Sequence, residues 1–290
     1  MVKAGRMRNA MAIFGRKRSD RSRMKEDNTG LLFFDIDGTI FDEHRRLPAT
    51  VKPAMERAHR NGHRLIVNTG RTLCNMDRRL DDFPLDGWIM GCGTRVIYHG
   101  ETLRSMEYGP GESLRLRQVF RDLKMPVVFE CDTAMYFDPE NDSHPSVADF
   151  RKFAQQHGIY RSIAENDPEF RAVKMFCFSD EKKIAEMKER TAEAGMPYTA
   201  INRWPEGWEV VPAGYSKGKG MDVLRERLGI RRENCYAFGD SRNDLTMMQH
   251  AGHSIAMGNA TEDVKAACSW VTDLPENDGI EKAMKHFGLI

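Results

Sequence analysis

The feature that most constrains the fold of this chain is a pair of aspartates placed directly after a short apolar run. Leu31–Phe34 consists of four large apolar residues, a pattern typical of a buried parallel strand, and the motif Asp35–Thr39 (DIDGT) follows at once. In an open α/β sheet, ligands bind outside the carboxyl ends of the strands. With one residue between them, Asp35 and Asp37 point to opposite sides of the backbone, so one could attack while the other moves a proton.

This motif has two other interpretations. The first is an acidic turn after a strand, since Asp and Gly favour turns. The DxDG pattern alone fits this turn about as well as it fits a reactive site. A calcium-binding EF-hand loop would need Glu at its twelfth position, which is Arg46 here, so that interpretation fails. Partners for the carboxylates elsewhere in the chain decide between the two that remain.

The chain of 290 residues is long enough for two domains, since one domain holds roughly 100 to 200 residues. Its net charge of +1 hides a basic segment, because the first 25 residues hold nine Lys or Arg and one acidic residue, which leaves −7 for the rest. That balance predicts no nucleic-acid partner for the folded part.

We expect residues 1–29 to form a disordered extension, because like charges repel. An organellar presequence, a nucleic-acid or membrane-surface tail and a dispensable upstream start are the alternatives.

Neither a membrane span nor a metal-cysteine framework is visible in the sequence. No apolar run approaches the roughly 20 residues that cross a bilayer. The six cysteines stand singly without a CxxC pair, and the nine histidines form no HExxH or similar set of ligands. These patterns predict reduced core cysteines in a cytoplasmic protein.

Helices and strands alternate along most of the chain, which predicts a parallel sheet covered on both faces. Ala49–Asn61 has the spacing of an amphipathic helix, Arg64–Asn68 predicts a second strand, and Thr69–Arg71 is expected to precede another helix. The other elements predicted for this sheet are a strand over 88–91, a hairpin over 95–106, a helix over 217–228, a strand over 235–238, a helix over 244–250, a strand over 253–257, a helix over 261–267, a strand over 269–272 and a helix from 278.

Gly109–Gly111 breaks this pattern, so we place a domain boundary there. Residues 30–110 and 210–290 are assigned to one domain, and residues 111–209 to an inserted mixed α/β domain. The elements predicted for the insertion are helices over 112–124, 147–157 and 181–194 and strands over 127–130, 135–137, 172–178, 198–201 and 208–211.

Polar groups follow several of the predicted core strands. Asp35 and Asp37 follow one strand, while Asp240 and Asp244 follow another, and such oxygen ligands suit Mg²⁺ with several retained waters. A lysine at the same place, Lys217, would balance the negative charge. These are the parts of a phosphoryl-transfer site, where positioning and electrostatic stabilisation supply most of the catalysis.

Thr69 adds a possible donor to a phosphoryl oxygen, with backbone amides of the expected helix N-terminus beside it. A P-loop is the competing source of a phosphate site, since Gly214–Gly220 is rich in glycine and lysine. The register fails, because a GxxxxGK[ST] motif around Lys219 would need Gly at Ala213 and Ser or Thr at Gly220.

Taken in order, five segments resemble the haloacid dehalogenase-like (HAD) phosphatase superfamily, and within it the Cof-type members with a C2B cap. The segments are Asp35–Ile40, Val67–Arg71, Ser216–Gly218, Gly239–Leu245 and Met257–Ala260. The resemblance covers about Leu31 to the carboxyl terminus. It implies an α/β fold, with a Rossmann-like parallel-sheet HAD core and an inserted α/β C2B-type cap domain.

The resemblance also implies roles for individual residues. Asp35 would be the nucleophile that forms an aspartyl-phosphate, and Asp37 the general acid and then the general base. Mg²⁺ would be held by Asp35, the backbone carbonyl of Asp37 and Asp240, with Asp244 supporting them. The residues implied to bind the substrate phosphate are Thr69, Gly70, Lys217 and Asn243, of which Lys217 is also counted as catalytic.

The function implied is a Mg²⁺-dependent phosphatase that acts on small phosphorylated metabolites such as sugar phosphates. A sugar phosphomutase of the same fold and a ligand-binding protein without turnover remain alternatives. The cap is expected to supply specificity, and Arg203–Trp208 could present aromatic faces to a sugar, although tryptophans buried in a hinge are the favoured interpretation. One departure from the family pattern is Cys92–Thr94, where Cof-type relatives usually have Asn-Gly-Ala.

Overall fold

The computed structural model describes residues 29–141, 144–165 and 167–290, so the predicted basic extension lies almost entirely outside the described residues. The described chain divides into two compact units. The core unit comprises the chain up to Thr69 together with Asp77–Ser105 and Lys217–Ile290, and the cap unit comprises Gly70–Met76 and Met106–Ser216. The sequence placed the boundaries at 110/111 and 209/210 and did not anticipate that Gly70–Met76 belongs with the insertion. No helix in the described part of the chain has the length and apolar character needed to cross a membrane.

Strands are numbered β1 to β14 and helices α1 to α8 along the described chain. The core unit contains an eight-stranded sheet in these residues, and its spatial order is β14-β13-β12-β1-β2-β3-β4-β5. The strands are β1 (Leu31–Phe34), β2 (Arg64–Asn68), β3 (Gly87–Met90), β4 (Arg95–Tyr98), β5 (Glu101–Ser105), β12 (Cys235–Gly239), β13 (His253–Ala256) and β14 (Trp270–Val271). All neighbours are parallel except the β3/β4 and β4/β5 pairs, which confirms the predicted parallel sheet and its hairpin.

The chain changes direction across this sheet at β1. The next core strand, β2, lies on one side of β1, whereas β12 returns to the other side after the insertion. Phe34 is the register partner of Phe238, and the backbone N of Asp35 donates to the carbonyl of Phe238 at 3.0 Å. This topology therefore places the residues after β1 beside those after β12, at the switch point where α/β sheets bind ligands.

The core helices cover the sheet with the apolar faces that the spacing predicted. In α1, the buried residues are Val51, Ala54, Met55 and Ala58. On another part of the sheet, Met221 of α5 and Met247 of α6 pack in one cluster with Phe33 and Ile66. The core helices are α1 (Val51–Arg60), α5 (Lys217–Leu228), α6 (Leu245–His250), α7 (Glu262–Ala266) and α8 (Gly279–His286).

The prediction of a helix after Thr69 is wrong. Two single 3₁₀ turns, Leu73–Asn75 and Arg78–Leu80, occupy its place. Asp77 precedes the second turn and accepts a hydrogen bond from the backbone N of Arg79 at 3.1 Å. An aspartate that bonds to nearby backbone competes with a continuous helix, so the segment stays as separate turns. The anion-binding helix N-terminus expected next to Thr69 is consequently not part of the described structure.

The cap unit holds a second sheet, with six strands in the described residues and the order β10-β11-β9-β6-β7-β8. Only the β7/β8 pair is parallel among these strands. The strands are β6 (Val127–Glu130), β7 (Met135–Phe137), β8 (Tyr160–Ser162), β9 (Lys174–Phe178), β10 (Tyr198–Trp204) and β11 (Gly207–Pro212). Its helices are α2 (Pro110–Asp122), α3 (Pro145–Gln156) and α4 (Glu181–Glu193). The insertion is thus a mixed α/β unit as predicted, with β8 as a strand that the sequence pattern did not indicate.

Both faces of the cap sheet are covered by apolar clusters. Met175 and Cys177 of β9 pack with α2 and α4, whereas Phe176 and Phe178 pack with α3. This alternation explains the nearly continuous apolar run of β9, because a strand buried on two faces needs no polar positions.

The two tryptophans of the β10–β11 hairpin differ in environment. Trp208 is half-buried, and its Nε1 donates to the carbonyl of Ser179 at 2.9 Å. Trp204 is 44% exposed and stacks on Phe176 with 4.9 Å between ring centroids. The favoured interpretation of buried tryptophans is therefore wrong for Trp204, whose side chain is exposed.

A buried carboxylate ties α2 to the end of β7. Asp138 accepts hydrogen bonds from Arg117 Nε at 2.9 Å and from Arg121 Nη2 at 2.7 Å. Burial alone would raise the pKa of Asp138, but the bonds from Arg121 and Arg117 lower it by more, so its pKa lies well below the ordinary value. The ionised form of Asp138 therefore stabilises the folded cap unit.

We expect Asp138→Asn to lower the free energy of unfolding by about 1–3 kcal/mol at neutral pH, because two arginines lose a charged partner. Since the folded pKa is lowered, the stabilisation is complete above the unfolded carboxyl pKa of about 4 and is lost as the pH falls further. Urea unfolding across this pH range should show the wild type converging on the variant. A stability difference that stays constant or grows towards acid would contradict this account, and Asp122→Asn, on the exposed side of α2, is the control.

Candidate active site

Lys217 and two aspartates form the centre of the site. Asp35 directly follows β1, Lys217 begins α5, and Asp244 closes the loop after β12. Lys217 Nζ donates to Asp35 Oδ1 and to Asp244 Oδ1, both at 2.6 Å. The exposed fractions of these side chains are 0% for Lys217, 6% for Asp35 and 0% for Asp244. Three segments that are far apart in the sequence thus meet in one buried ionic cluster.

Asp240 lies beside this cluster and above the turn of the first motif. It directly follows β12, and its Oδ1 accepts a hydrogen bond from Thr39 Oγ1 at 3.3 Å. Gly38 has a φ of +85°, and a Cβ atom there would come 2.5 Å from Asp240 Oδ2. Glycine is required at position 38 for two reasons, since side chains disfavour this backbone conformation and the carboxylate occupies the space.

The Asp244 carboxylate also fixes the loop that carries Asp240. While Oδ1 accepts from Lys217, Oδ2 accepts from the backbone N of Asp240 and of Ser241, each at 3.0 Å. Ser241 Oγ also lies 3.2 Å from the same oxygen. One buried carboxylate therefore sets the position of both the lysine and the neighbouring aspartate.

Asp37 is exposed, in contrast to the other aspartates of the cluster. Backbone bonds hold its loop, since Gly38 N donates to the carbonyl of Phe41 and Phe41 N donates to the carbonyl of Ile36, both at 2.9 Å. Asn259 Nδ2 donates to the carbonyl of Gly38 at 3.0 Å and fixes the turn from the other side. Asp37 thus combines a fixed backbone with an accessible carboxylate, as a proton-transfer group requires.

The residues predicted to bind phosphate occupy different places. Thr69 is buried at the end of β2, and its carbonyl accepts from the backbone N of Cys92 at 3.1 Å. Asn243 is buried in the loop after β12, where its Oδ1 accepts from Ser241 Oγ at 3.0 Å. Gly70 follows Thr69 in the chain but belongs to the cap unit. Their phosphate-binding roles stay predictions.

Burial and the neighbouring charges shift the pKa values of Asp35 and Lys217. Burial raises the pKa of the Asp35 carboxyl to about 7, and Asp244 and Asp37 add to the rise, although the Lys217 ammonium lowers it. Burial lowers the pKa of Lys217, but Asp244 and Asp35 raise it by more, so the net pKa lies above the ordinary value for lysine. Lys217 therefore stays protonated, and a further cation beside Asp35 would favour the ionised form of this carboxyl group.

The oxygen atoms in the cluster fit such a cation. Asp35, Asp240 and Asp244 each offer a carboxylate oxygen, and these three atoms lie within 4.8 Å of one another. A set of carboxylate oxygens with no sulfur or imidazole suits a hard divalent ion such as Mg²⁺. The carboxylate of Asp37 is not in this group, and the resemblance assigned its backbone carbonyl to the metal instead.

The departure at Cys92 coincides with an unusual backbone. Cys92 has a φ of +54°, between Gly91 at +56° and Gly93 at +89°. Asn tolerates the left-handed region better than most side chains, which gives a physical reason for the Asn that Cof-type relatives usually have here. Cys92 is buried, and its turn lies against the first turn of α5, since a Cβ atom at Gly220 would come 3.2 Å from Gly93 Cα.

Similarity to known proteins identifies the family of the chain. The family model described as haloacid dehalogenase-like hydrolase matches residues 32–284. The chain belongs to the haloacid dehalogenase-like hydrolase family. The match spans both units, which confirms the family expected from the five ordered segments.

Individual members of the family resemble the chain over most of their length. YkrA of Bacillus subtilis is 30% identical over 268 residues, which cover 90% of this chain and 98% of YkrA. The HMP-PP phosphatase of Cronobacter sakazakii is 26% identical over 240 residues, covering 80% of this chain and 85% of the relative. Among solved structures, the HAD subclass IIB sugar phosphatase BT4131 has a TM-score of 0.77 and 28% identity, covering 90% of this chain and 100% of that one. The last match confirms the HAD core with an inserted cap of the IIB type.

Three residues of this candidate site were not singled out from the sequence. Thr39 and Asn259 hold Asp240 and the Gly38 turn, and Ser241 bridges Asn243 and Asp244. All three lie inside the segments that carried the family resemblance. Proximity of these segments to the aspartates could have suggested supporting roles, but only the three-dimensional contacts identify the partners.

We expect Gly38→Ala to destabilise the protein more than Gly288→Ala does. Both glycines have positive φ, but a Cβ atom at Gly288 has nothing within 4 Å, whereas at Gly38 it meets Asp240. The shared backbone strain costs about 1–2 kcal/mol, and the collision at Gly38 adds about 1–3 kcal/mol. Chemical denaturation of both variants measures the difference, and equal losses would show that Asp240 moves aside without cost.

Proposed function

We propose that this HAD-family protein is a Mg²⁺-dependent phosphatase that hydrolyses small phosphate monoesters through an aspartyl-phosphate on Asp35. The observation that carries the proposal is the position of Lys217 Nζ, 2.6 Å from both Asp35 and Asp244. This ammonium lowers the negative charge at Asp35 that would otherwise repel an anionic ester. The relatives named as phosphatases support the same reaction class.

The first step transfers the phosphoryl group to the protein. An oxygen of the Asp35 carboxylate attacks phosphorus, the bond to the ester oxygen breaks, and Asp37 gives its proton to the leaving alcohol. The exposed position of Asp37, two residues beyond the proposed nucleophile, suits this proton transfer. Lys217 holds Asp35 in place and stabilises the charge on the phosphoryl oxygens.

The second step releases inorganic phosphate. Asp37, now ionised, takes a proton from water as the water oxygen attacks phosphorus, and the bond between phosphorus and the Asp35 oxygen breaks. We propose that Thr69, Gly70 and Asn243 donate to the phosphoryl oxygens in both steps. Bound through Asp35, Asp240 and the carbonyl of Asp37, with Asp244 in support, Mg²⁺ would supply further neutralisation of the phosphate charge.

Phosphate release from a panel of sugar phosphates and p-nitrophenyl phosphate tests the reaction. We expect release with Mg²⁺, loss of release with EDTA, and a loss of at least about a thousandfold in kcat for Asp35→Asn, because an amide cannot act as the nucleophile. Asp86→Asn is the matched control, since Asp86 is a buried aspartate before β3 that accepts from the backbone N of Leu65.

Two results would overturn the proposal. Equal phosphate release by wild type and Asp35→Asn would remove the assigned nucleophile. A wild type that converts one sugar phosphate into an isomer without releasing phosphate would identify a mutase, which shares the aspartyl-phosphate but passes it to another hydroxyl group.

We further propose that the substrates are sugar phosphates, recognised in part by the exposed ring of Trp204. The similar BT4131 is named as a sugar phosphatase. Trp204 has one face on Phe176 and is 44% exposed, and an aromatic face of this kind packs against the apolar face of a sugar ring. Gly207 of the same hairpin lies close to the indole, since a Cβ atom there would come 2.4 Å from Trp204 Nε1.

We expect Trp204→Ala to raise KM for the best hexose phosphate about fivefold or more, while Trp204→Phe, which keeps a ring, changes it less than about twofold. KM for acetyl phosphate, which has no ring, should not change in either variant. Steady-state kinetics with both substrates measures these values. An unchanged KM for every sugar phosphate in Trp204→Ala would exclude this tryptophan from substrate recognition.

A further inference from the structure

Asn68 is the last residue of β2, directly before Thr69, and it is fully buried. Side chains two residues apart on a strand share a face, so Asn68 points to the same side as Ile66, which packs against α5 and α6. There, Asn68 Nδ2 donates to the backbone carbonyl of Lys217 at 3.1 Å and lies 3.5 Å from Met247 Sδ. The side chain therefore contacts the first residue of α5, the residue whose ammonium bridges the two aspartates.

The oxygen of the Asn68 amide has an environment that is unfavourable for a polar atom. Within the described part of the chain, Asn68 Oδ1 is buried without a hydrogen-bond partner. A buried oxygen left in this way costs about 1–3 kcal/mol of stability, so an apolar side chain of the same shape would fold at least as well. Stability alone gives no reason for an asparagine at this position.

The start of α5 is confined on its other sides as well. Gly218 N donates to Thr246 Oγ1 at 3.2 Å, and a Cβ atom at Gly218 would come 2.4 Å from the carbonyl of Thr246. A Cβ atom at Gly220 would come 2.4 Å from Ile89 Cγ2. The first turn of α5 thus lies against α6 and β3, and the hydrogen bond from Asn68 links its first residue to the end of β2.

From these contacts we infer that Asn68 is a positioning residue, which holds the Lys217 backbone so that Nζ reaches both Asp35 and Asp244. The inference rests on the proposed phosphatase function and assigns no contact between Asn68 and substrate. Displacement of a catalytic group by about 1 Å can lower a rate about a hundredfold, so a single buried hydrogen bond at this place has kinetic consequences.

Asn68→Leu tests the inference, because leucine has the same branching and number of heavy atoms but no donor. We expect Tm to stay equal or rise, since the buried Oδ1 is removed, while kcat for the best ester falls at least tenfold and KM changes less than about threefold. A merely structural asparagine would give the opposite pattern, with a lower Tm and an unchanged kcat in the folded variant.

Asn141→Leu is the matched control in the cap unit. Asn141 is also buried, and its Nδ2 donates to the backbone carbonyls of Phe120 and Met125. Its removal should lower Tm and leave kcat unchanged, because neither carbonyl belongs to a residue of the ionic cluster. Loss of kcat in both variants, in proportion to Tm, would overturn the positioning role of Asn68.

A crystal structure of Asn68→Leu separates this inference from the proposed function. We expect the distance from Lys217 Nζ to Asp35 Oδ1 or to Asp244 Oδ1 to exceed 3.5 Å, beyond hydrogen-bonding reach. Both distances unchanged from 2.6 Å would overturn the inference, whatever the kinetics show. A wild type that releases no phosphate would refute the proposed function, and the crystal structure would still decide the role of Asn68.

Discussion

The ammonium of Lys217 between the Asp35 and Asp244 carboxylates is the interaction on which the rest of the core unit depends. Three buried charges in contact are stable only when each has a partner at close range, because an unpaired buried charge costs several kcal/mol. These contacts form only if the end of β1, the start of α5 and the loop after β12 lie close together. The strand order meets this condition, since the chain leaves β1 for β2 and returns to β12 after the whole insertion.

The turns around this cluster are specified by close contacts as much as by hydrogen bonds. A Cβ atom at Gly38 would collide with the Asp240 carboxylate, and one at Gly218 would collide with the carbonyl of Thr246. Glycine at these positions lowers the free energy of unfolding, because it adds conformational freedom to the unfolded state. Its benefit is the short distance between backbone and charged groups, which a site built on electrostatic positioning requires.

Periodicity predicted the elements of the core unit well, because buried parallel strands such as β1 and amphipathic helices such as α1 leave direct patterns in the sequence. It failed after Thr69, where the bonds of Asp77 to its neighbours outweigh a helix-like pattern. The aspartates and Lys217 could be named from ordered motifs. The bond from Asn68 to the Lys217 backbone could not, since a contact between residues 149 positions apart leaves no local signal.

A second buried lysine shows why pairing alone does not identify a reactive site. In the cap unit, Lys174 Nζ lies 2.7 Å from Glu130 and 2.8 Å from Glu209, much as Lys217 lies between two aspartates. There, Arg203 Nη1 also contacts Glu209 at 3.2 Å, so two cations balance two carboxylates. In the core unit, carboxylate oxygens of three buried or half-buried aspartates lie within 4.8 Å of one another, and the Lys217 ammonium bridges two of these aspartates. Unbalanced negative charge attracts a further cation, whereas a balanced network supports structure, and this difference in charge separates the candidate active site from the salt-bridge network of the cap.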